Sequence, residues 1–122
     1  SMDILGTMVA LTGVKIAPER PLDGVNLLPF LSGIKKGSPH DILFWQMFDK
    51  QHSAVRRGSD KLIVMVESEG GNQLYQLSQD IGESHNRIKS DKATAKELKR
   101  ELDAWTAQIK PAIFDPLGTW DP

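Results

Sequence analysis

Two tight-turn signals bracket the strongest apolar run of the chain, and this arrangement constrains the fold more than any other feature. Lys61 to Glu67, KLIVMVE, is rich in β-branched residues and predicts a buried strand. Gly58-Ser59-Asp60 precedes this run and Glu69-Gly70-Gly71-Asn72 follows it, and such residues take the positive φ of tight turns at little cost. Ala54 to Arg57 and Gln73 to Leu77 are predicted as the flanking strands, the second with one solvated face. The stretch therefore predicts a hairpin-rich antiparallel sheet.

An aromatic segment before this stretch predicts a further strand. Asp41 to Phe48, DILFWQMF, is the strongest aromatic cluster in the chain, and we expect it at the centre of the sheet. Phe44 and Trp45 are aromatic enough to stack on a sugar or a base, but a core strand is the better explanation for both.

Two helices are predicted, one at each end of the sheet region. Asp3 to Leu11 shows helical apolar spacing with Asp3 as an N-cap, and Gly6 weakens it by about 1 kcal/mol relative to alanine. The second helix begins after a cap at Ser90 or Asp91 and ends before Pro111. Its apolar residues recur four, three and four positions apart and lie on one face: Leu98, Leu102, Trp105 and Ile109.

Composition excludes several classes of function. The 122 residues suit one domain, and 15 basic against 16 acidic residues give a net charge of -1, so neither nucleic acid nor an anionic membrane is an expected partner. The chain has no cysteine, hence no disulfide, thiolate metal site or cysteine nucleophile. No apolar run approaches the roughly 18 residues of a membrane span, and no export signal is visible. Ser1-Met2 resembles a cloning remnant before a start inside a longer protein.

Candidate catalytic residues are sparse. His40, His52 and His85 are expected in loops, without metal-site spacing, so we expect surface histidines. Ser38-Pro39-His40-Asp41 places a hydroxyl, an imidazole and a carboxylate close in sequence, but a triad is assembled in space, and loop polarity explains the segment better. The residues alone indicate a soluble α+β domain without a visible active site.

Arg56 and Arg57 are adjacent in a predicted strand, so at most one of them faces the core side. The arginine that faces the core needs an acidic partner, and the other one is free to meet an anionic ligand. The helix residues Glu97 and Glu101 are expected on a solvated face with neighbouring lysines and arginine.

A series of motifs, in the same order, resembles the carboxyl-terminal part of type I sulfatases, the arylsulfatase family of the alkaline-phosphatase-like superfamily. DILGTMVALTGV resembles the family's D-I-x-P-T-L-L-x-L-A-G-V, LDGVNLLPFLSG resembles L-D-G-x-S-L-L-P-L-L-x-G, and AVRRGSDKLI resembles A-V-R-x-G-D-W-K-L-I. HDILFW, QLYQLSQDIGESHN and the closing Leu98, Leu102 and Trp105 pattern also fit. Gly6 replaces the family's usual proline, so we expect a looser start of the first helix, and Asp60 replaces a usual tryptophan.

The resemblance implies a fold and an organisation. The fold is α+β: a small antiparallel sheet of about four strands with a long C-terminal helix on one face, plus a short N-terminal helix. Residues 3–39 would join a catalytic domain, residues 40–110 would form the sheet and helix, and residues 111–122 an irregular tail. The implied partner is that catalytic domain of the same parent chain.

The resemblance also implies where the chemistry lies. Sulfatases of this type carry a formylglycine made from the Cys or Ser of a C/S-x-P-x-R motif, and a calcium ion held by aspartates and an asparagine. This chain has no cysteine, and its only Ser-Pro, Ser38-Pro39, lacks the arginine. We therefore expect calcium and formylglycine in a catalytic domain that precedes Asp3, no catalytic or metal residue here, and an inactive fragment of a sulfuric ester hydrolase.

The remaining expectations concern ligands and partners. The parent is expected to act on a sulfated small molecule or sugar, and family resemblance implies a periplasmic or secreted parent. Rim candidates for its substrate cleft are Lys50, Gln51, His52 and Arg56. The isolated fragment is expected to form a homodimer through Ile4, Leu5 and Met8. A stand-alone interaction module, or part of a phosphoesterase or phosphonate hydrolase, is the alternative.

Overall fold

The fold of the chain is α+β, as predicted. A computed structural model describes residues 2–17, 19, 21–47, 52–66 and 70–109. It forms two compact units, one up to Asp41 and one from Ile42. The first unit contains α1 (Met2–Thr12) and α2 (Leu28–Leu31). The second contains β1 (Ile42–Gln46), β2 (His52–Arg57), β3 (Asp60–Met65), β4 (Gln73–Gln76) and α3 (Lys92–Thr106).

The four strands form an antiparallel sheet in the order β1-β2-β3-β4. The turn between β2 and β3 is shorter than predicted, because Asp60 already pairs with Arg57 across the sheet. Only Gly58 and Ser59 join the strands, and Gly58 has a φ of 59°, the left-handed conformation that glycine adopts most easily. This two-residue turn sets the register of the whole hairpin.

The aromatic strand β1 lies at an edge of the described sheet, so its predicted central position is wrong. Of its two described aromatic side chains, only Phe44 contacts α3. The Phe44 ring stacks on the Trp105 ring of α3, with centroids 5.0 Å apart and planes 8° from parallel. Trp45 points to the other face, because successive side chains alternate along a strand.

The core lies between the sheet and α3. One register row, Phe44, Val55, Leu62 and Leu74, crosses all four strands. Val55, Leu62 and Leu74 are buried together with Leu98 and Leu102 of α3. Burying each such side chain contributes about 1.5–3 kcal/mol, which makes this layer the main source of stability in the second unit.

Strand β4 departs from the predicted alternation of one buried and one solvated face. Leu74 and Tyr75 are neighbours and therefore point to opposite faces, yet Leu74 is fully buried and Tyr75 is only 7% exposed. The Tyr75 hydroxyl donates a hydrogen bond to Gln73 Oε1 at 2.9 Å. The sheet is thus covered on both faces near β4, which the alternation of polar and apolar residues in the sequence did not predict.

Asp91 caps α3, as predicted, and accepts the Thr94 N–H at 3.2 Å. This hydrogen bond lowers the pKa of Asp91. The helix ends at Thr106 with Ala107 as its C-cap, so Ile109 lies beyond the helix and is 40% exposed. Pro111, predicted to end the helix, and the tail lie outside the described residues.

Arg57 fastens α3 to the sheet. Its Nη1 donates to Glu101 Oε1 at 2.7 Å and to Glu97 Oε1 at 3.0 Å. The hydrogen bond to Arg57 lowers the pKa of Glu97, and the one to Glu97 raises the pKa of Arg57. The prediction that the core-facing arginine takes an acidic partner is confirmed, whereas Glu97 and Glu101 are not merely solvated charges.

In the first unit, polar side chains of α1 hold the segment before α2. Asp3 was predicted as the N-cap, but α1 begins at Met2, and the Asp3 carboxylate instead accepts the Val25 N–H at 2.9 Å. Thr7 Oγ1 accepts the Leu27 N–H at 3.0 Å and donates to the Asp3 carbonyl at 2.7 Å. The contacts of Asp3 with Val25 and of Thr7 with Leu27 thus bind consecutive turns of α1 to residues 25–27.

Gly6 permits this close approach. A Cβ at Gly6 would lie 2.9 Å from the carbonyl oxygens of both Gly24 and Val25. The glycine that was expected to loosen the start of α1 is instead buried against backbone, where no larger residue fits without movement. The apolar side chains of α1 remain outside this contact: Ile4, Leu5 and Met8 are 65%, 57% and 51% exposed.

Candidate functional site

A groove on the sheet face turned away from α3 is the best candidate for a binding site in the described residues. Alternation places Trp45, Ala54, Arg56 and Lys61 on this face, because Phe44, Val55 and Leu62 face α3. The loop after β4 closes one side. We call this concavity the sheet groove. It encloses about 450 Å³ and is lined by Trp45, Ala54, Arg56, Lys61, Leu77, Ile81 and Glu83.

Trp45 forms the aromatic wall of the sheet groove. Its side chain is 47% exposed, which contradicts the prediction that Trp45 belongs to the core, although Phe44 does. Trp45 pairs with Ala54 on β2, whose small side chain can cover little of the indole. An exposed tryptophan beside a cavity is a feature typical of ligand contacts.

Two cations meet beside Trp45. Arg56 of β2 lies directly opposite Lys61 of β3 in the register. Like charges in directly opposed positions destabilise a sheet, so one of them requires compensation. Glu83 supplies it for Lys61, with Nζ and Oε1 2.6 Å apart.

Arg56 keeps its charge available. Its Nε donates to the Gly58 carbonyl at 2.9 Å, which holds the guanidinium near the hairpin turn. Within the described part of the chain, no carboxylate forms an ion pair with Arg56. The side chain is exposed, so Arg56 is the arginine of the Arg56-Arg57 pair to which the prediction of an anionic ligand applies.

The loop that carries Glu83 is held in shape by Asp80. The Asp80 carboxylate accepts the N–H groups of Ser84 at 3.0 Å and of His85 at 2.8 Å. These two hydrogen bonds lower the pKa of Asp80, so the carboxylate stays charged to lower pH than an unperturbed one. Glu83 itself has a φ of 54°, a strained value for a residue with a side chain. The loop is thus built to present Glu83 to Lys61.

Of the four predicted rim residues, two lie outside the described residues and two lie on β2. Lys50 and Gln51 lie outside the described residues. His52 and Arg56 stand on the same sheet face at opposite ends of β2, about 13 Å apart at the usual strand rise, so β2 does not bring them together. Only Arg56 lines the sheet groove. Lys61 and Glu83 were not predicted, and Trp45 was considered for sugar stacking but assigned to the core. The two-residue turn would have been the signal for the Arg56–Lys61 pair.

The histidine motif does not form a catalytic triad. Ser38 Oγ donates to the backbone carbonyl of His40 at 2.7 Å and not to its ring. The ring Nε2 lies 2.8 Å from Asp3 Oδ1, so the imidazole joins the contact that holds Val25. Hydrogen bonding by the Val25 N–H and, to a lesser extent, by His40 lowers the pKa of Asp3. We interpret this cluster as structural.

The described residues do not fit a calcium site. No group of three or more histidine or acidic side chains among them comes together in a way that could hold a metal ion. The calcium that the family resemblance implies therefore has no ligand set in this part of the chain, and we derive no reaction step through it. None of the described helices is long and apolar enough to cross a membrane.

Comparison with known proteins identifies similar sulfatases. No protein-family model matches the chain. Arylsulfatase A of Bos taurus aligns with the whole chain at 27% identity over 145 residues, which is 28% of that protein. A solved structure of a 2-O GAG sulfatase matches 86% of this chain and 24% of its own, at 26% identity and a TM-score of 0.66.

A second solved structure, Ps i-CgsB in complex with k-i-k-neocarrahexaose, matches 85% of this chain and 23% of its own, at 28% identity and a TM-score of 0.66. The chain therefore spans about a quarter of the length of these relatives. The resemblance to sulfatases is confirmed.

Proposed function

We propose that this chain is the carboxyl-terminal part of a sulfatase that hydrolyses sulfate esters, and that it supports the catalytic domain and shapes the rim of the substrate cleft. The observation that carries the proposal is that the whole chain aligns with only 28% of arylsulfatase A. The remaining three quarters of such a protein have room for the nucleophile and the metal site, for which the described residues contain no candidates.

The chemistry of sulfate ester hydrolysis suggests different roles for the catalytic domain and for this chain. Attack on a sulfate ester needs an activated nucleophile and neutralisation of the anionic centre, and formylglycine and calcium would supply these in the catalytic domain. The present chain would contribute shape and recognition, because loops and exposed side chains on a rigid sheet are positioned accurately. The buried apolar layer between α3 and the sheet provides most of that rigidity, and the Arg57 contacts with Glu97 and Glu101 lie beside it.

We propose a sulfated saccharide as the substrate class. The matched 2-O GAG sulfatase and the matched protein in complex with neocarrahexaose support this choice. We also propose that the parent acts in the periplasm or outside the cell, by resemblance to sulfatases. A phosphoesterase or phosphonate hydrolase of the same superfamily, or a stand-alone module, is the competing function.

A comparison of the chain with its parent tests the proposal. The purified chain should release no product from 4-nitrophenyl sulfate, with or without calcium, whereas the parent should turn it over. Calcium-dependent turnover by the purified chain would show that the assignment of the chemistry is wrong. Turnover of 4-nitrophenyl phosphate but not of the sulfate by the parent would favour the phosphoesterase.

The rim hypothesis is tested in the parent. Replacing His52 or Arg56 with alanine should lower kcat/KM on the sulfated saccharide about tenfold or more if a charge-assisted hydrogen bond to the substrate is lost. Lys96→Ala, on the exposed side of α3, is the control and should leave the kinetics unchanged. Wild-type kinetics for both His52→Ala and Arg56→Ala would refute the hypothesis.

A further inference from the structure

The charge arrangement of the sheet groove leaves one cation in excess. Arg56 and Lys61 are directly opposed across the β2–β3 hairpin, and a single carboxylate, Glu83, binds Lys61. The groove is therefore complementary to an anion that carries about one charge at the position of Arg56. A guanidinium suits an oxyanion better than an ammonium does, because its planar fork donates two parallel hydrogen bonds.

The neighbouring tryptophan adds a second element of recognition. Trp45 is diagonal to Arg56 on the same face, since Trp45 pairs with Ala54 and Arg56 lies two residues further along β2. Diagonal positions of adjacent strands are about 7–8 Å apart, within reach of an aromatic side chain. One ligand of modest size can therefore touch the indole face and the guanidinium together.

We infer that the sheet groove binds one sulfated sugar unit, whose ring stacks on Trp45 while its sulfate accepts hydrogen bonds from Arg56. The ligand class rests on the proposed function. The electron-rich face of an indole attracts the weakly positive C–H groups of a sugar ring. The volume of about 450 Å³ falls within the range of small-molecule sites.

The charge count separates this ligand from other polyanions. A nucleic acid needs a track of several cations along its backbone, and the groove offers Arg56 with a Lys61 that Glu83 has neutralised. The sheet groove is also not a catalytic site, because its lining contains no metal-ligand cluster or activated nucleophile. It would hold a sugar unit of the substrate without reacting with it.

Direct binding to the intact chain tests the inference. We propose a titration of the chain with a heparin-derived tetrasaccharide, in which binding is monitored by the NMR signals of the tryptophan indole groups. The Trp45 signal should shift and the Trp105 signal, from a side chain stacked on Phe44, should not. The chemically desulfated tetrasaccharide and inorganic sulfate should each bind at least about tenfold more weakly, because each lacks one of the two contacts.

Matched variants locate the site. Arg56→Gln and Trp45→Ala should each weaken binding about tenfold, and Trp45→Phe should retain most of it because the aromatic face remains. Arg100→Gln, which removes the same charge from the exposed side of α3, should bind like the wild type. Equal affinity of the wild type, Arg56→Gln and Trp45→Ala, or no shift of the Trp45 signal, would overturn the inference.

The outcomes also separate this inference from the proposed function. If the parent hydrolyses sulfate esters but the chain does not bind the tetrasaccharide, the sheet groove site is wrong and the proposed function stands. If the chain binds the tetrasaccharide as described but the parent hydrolyses only phosphate esters, the site is supported and the proposed reaction is wrong.

Discussion

At the scale of single residues, Asp3 shows how one side chain can organise a segment distant in sequence. Its Oδ1 accepts the Val25 N–H and lies 2.8 Å from His40 Nε2, so residues 22 and 37 positions away meet on one carboxylate. The pKa of Asp3 is lowered chiefly by the Val25 hydrogen bond, which means that folding favours the charged form.

This shift predicts an acid-sensitive contact. Because the pKa of Asp3 in the folded chain lies below its unperturbed value of 3.8, the contact stabilises at higher pH and is lost as the pH falls through the folded pKa. Protection of the Val25 amide against hydrogen exchange, corrected for the intrinsic rate, should therefore fall below about pH 4. In Asp3→Asn the protection should be lower and nearly independent of pH.

Asp23→Asn removes an exposed carboxylate from the same unit and is the matched control. It should leave the protection of the Val25 amide and its pH dependence unchanged. If Asp3→Asn behaved like the wild type from about pH 5 to pH 2, the carboxylate would not hold Val25 in solution.

At the scale of elements, α3 and the sheet stabilise each other through one apolar layer. Leu98 and Leu102 of α3 are buried against Val55, Leu62 and Leu74. The Phe44–Trp105 stack and the Arg57 ion pairs lie in the same interface. Partly exposed ion pairs contribute little, so the apolar layer dominates the energy of this contact.

Shortening one buried leucine tests that balance. Leu98→Ala should lower the free energy of unfolding by about 2–5 kcal/mol, because it removes buried apolar surface and leaves a cavity. Urea denaturation followed by tryptophan fluorescence measures the change. Lys96→Ala, on an exposed position of the same helix, should change it by no more than about 0.5 kcal/mol. A loss below about 1 kcal/mol for Leu98→Ala would show that α3 does not pack as described.

At the scale of the whole molecule, the apolar side chains of α1 require explanation. Three of them, Ile4, Leu5 and Met8, are more than half exposed, and exposed apolar clusters on soluble proteins mark surfaces that another molecule covers. The family resemblance implies that residues 3–39 join the catalytic domain of the parent, and we propose that this domain covers the apolar side chains of α1. When that domain is absent, a second copy of the chain is the available cover, and full burial contributes about 1.5–3 kcal/mol for each large side chain.

We therefore expect the isolated chain to form a dimer through α1. Light scattering at micromolar concentration should give twice the mass of 13.6 kDa. Ile4→Glu combined with Met8→Glu should return the chain to a monomer, because burying the new charges without partners is costly. Ile34→Glu, an exposed apolar position outside α1, should leave the dimer intact. A monomeric wild type, or a dimer that persists in the double variant, would contradict this expectation.

Local sequence patterns determined most of the secondary structure and the resemblance to sulfatases. Alternating and 3.6-residue spacings, glycine turns and the Asp91 cap act over a few residues, so the strands and α3 could be predicted without any partner. The alternation at Arg56-Arg57 also predicted that at most one arginine faces the core side, and Arg57 is the one that binds acidic residues of α3. The ordered motifs that resemble sulfatases depend on residue identity alone, and the comparisons confirmed them.

Tertiary structure decided everything that depends on contacts between distant residues. Which strands pair, and what covers each face of the sheet, decides the edge position of β1, the burial of Tyr75 and the exposure of Trp45. Alternation of side chains along a strand is the same for edge and central strands and for covered and open faces, so it could not predict these features. The same holds for Asp3, whose partners come from two separate loops, and for the Lys61–Glu83 pair beside Arg56. Hydrogen bonds and charge pairs act over a few ångströms, and only the folded chain brings these residues within that distance.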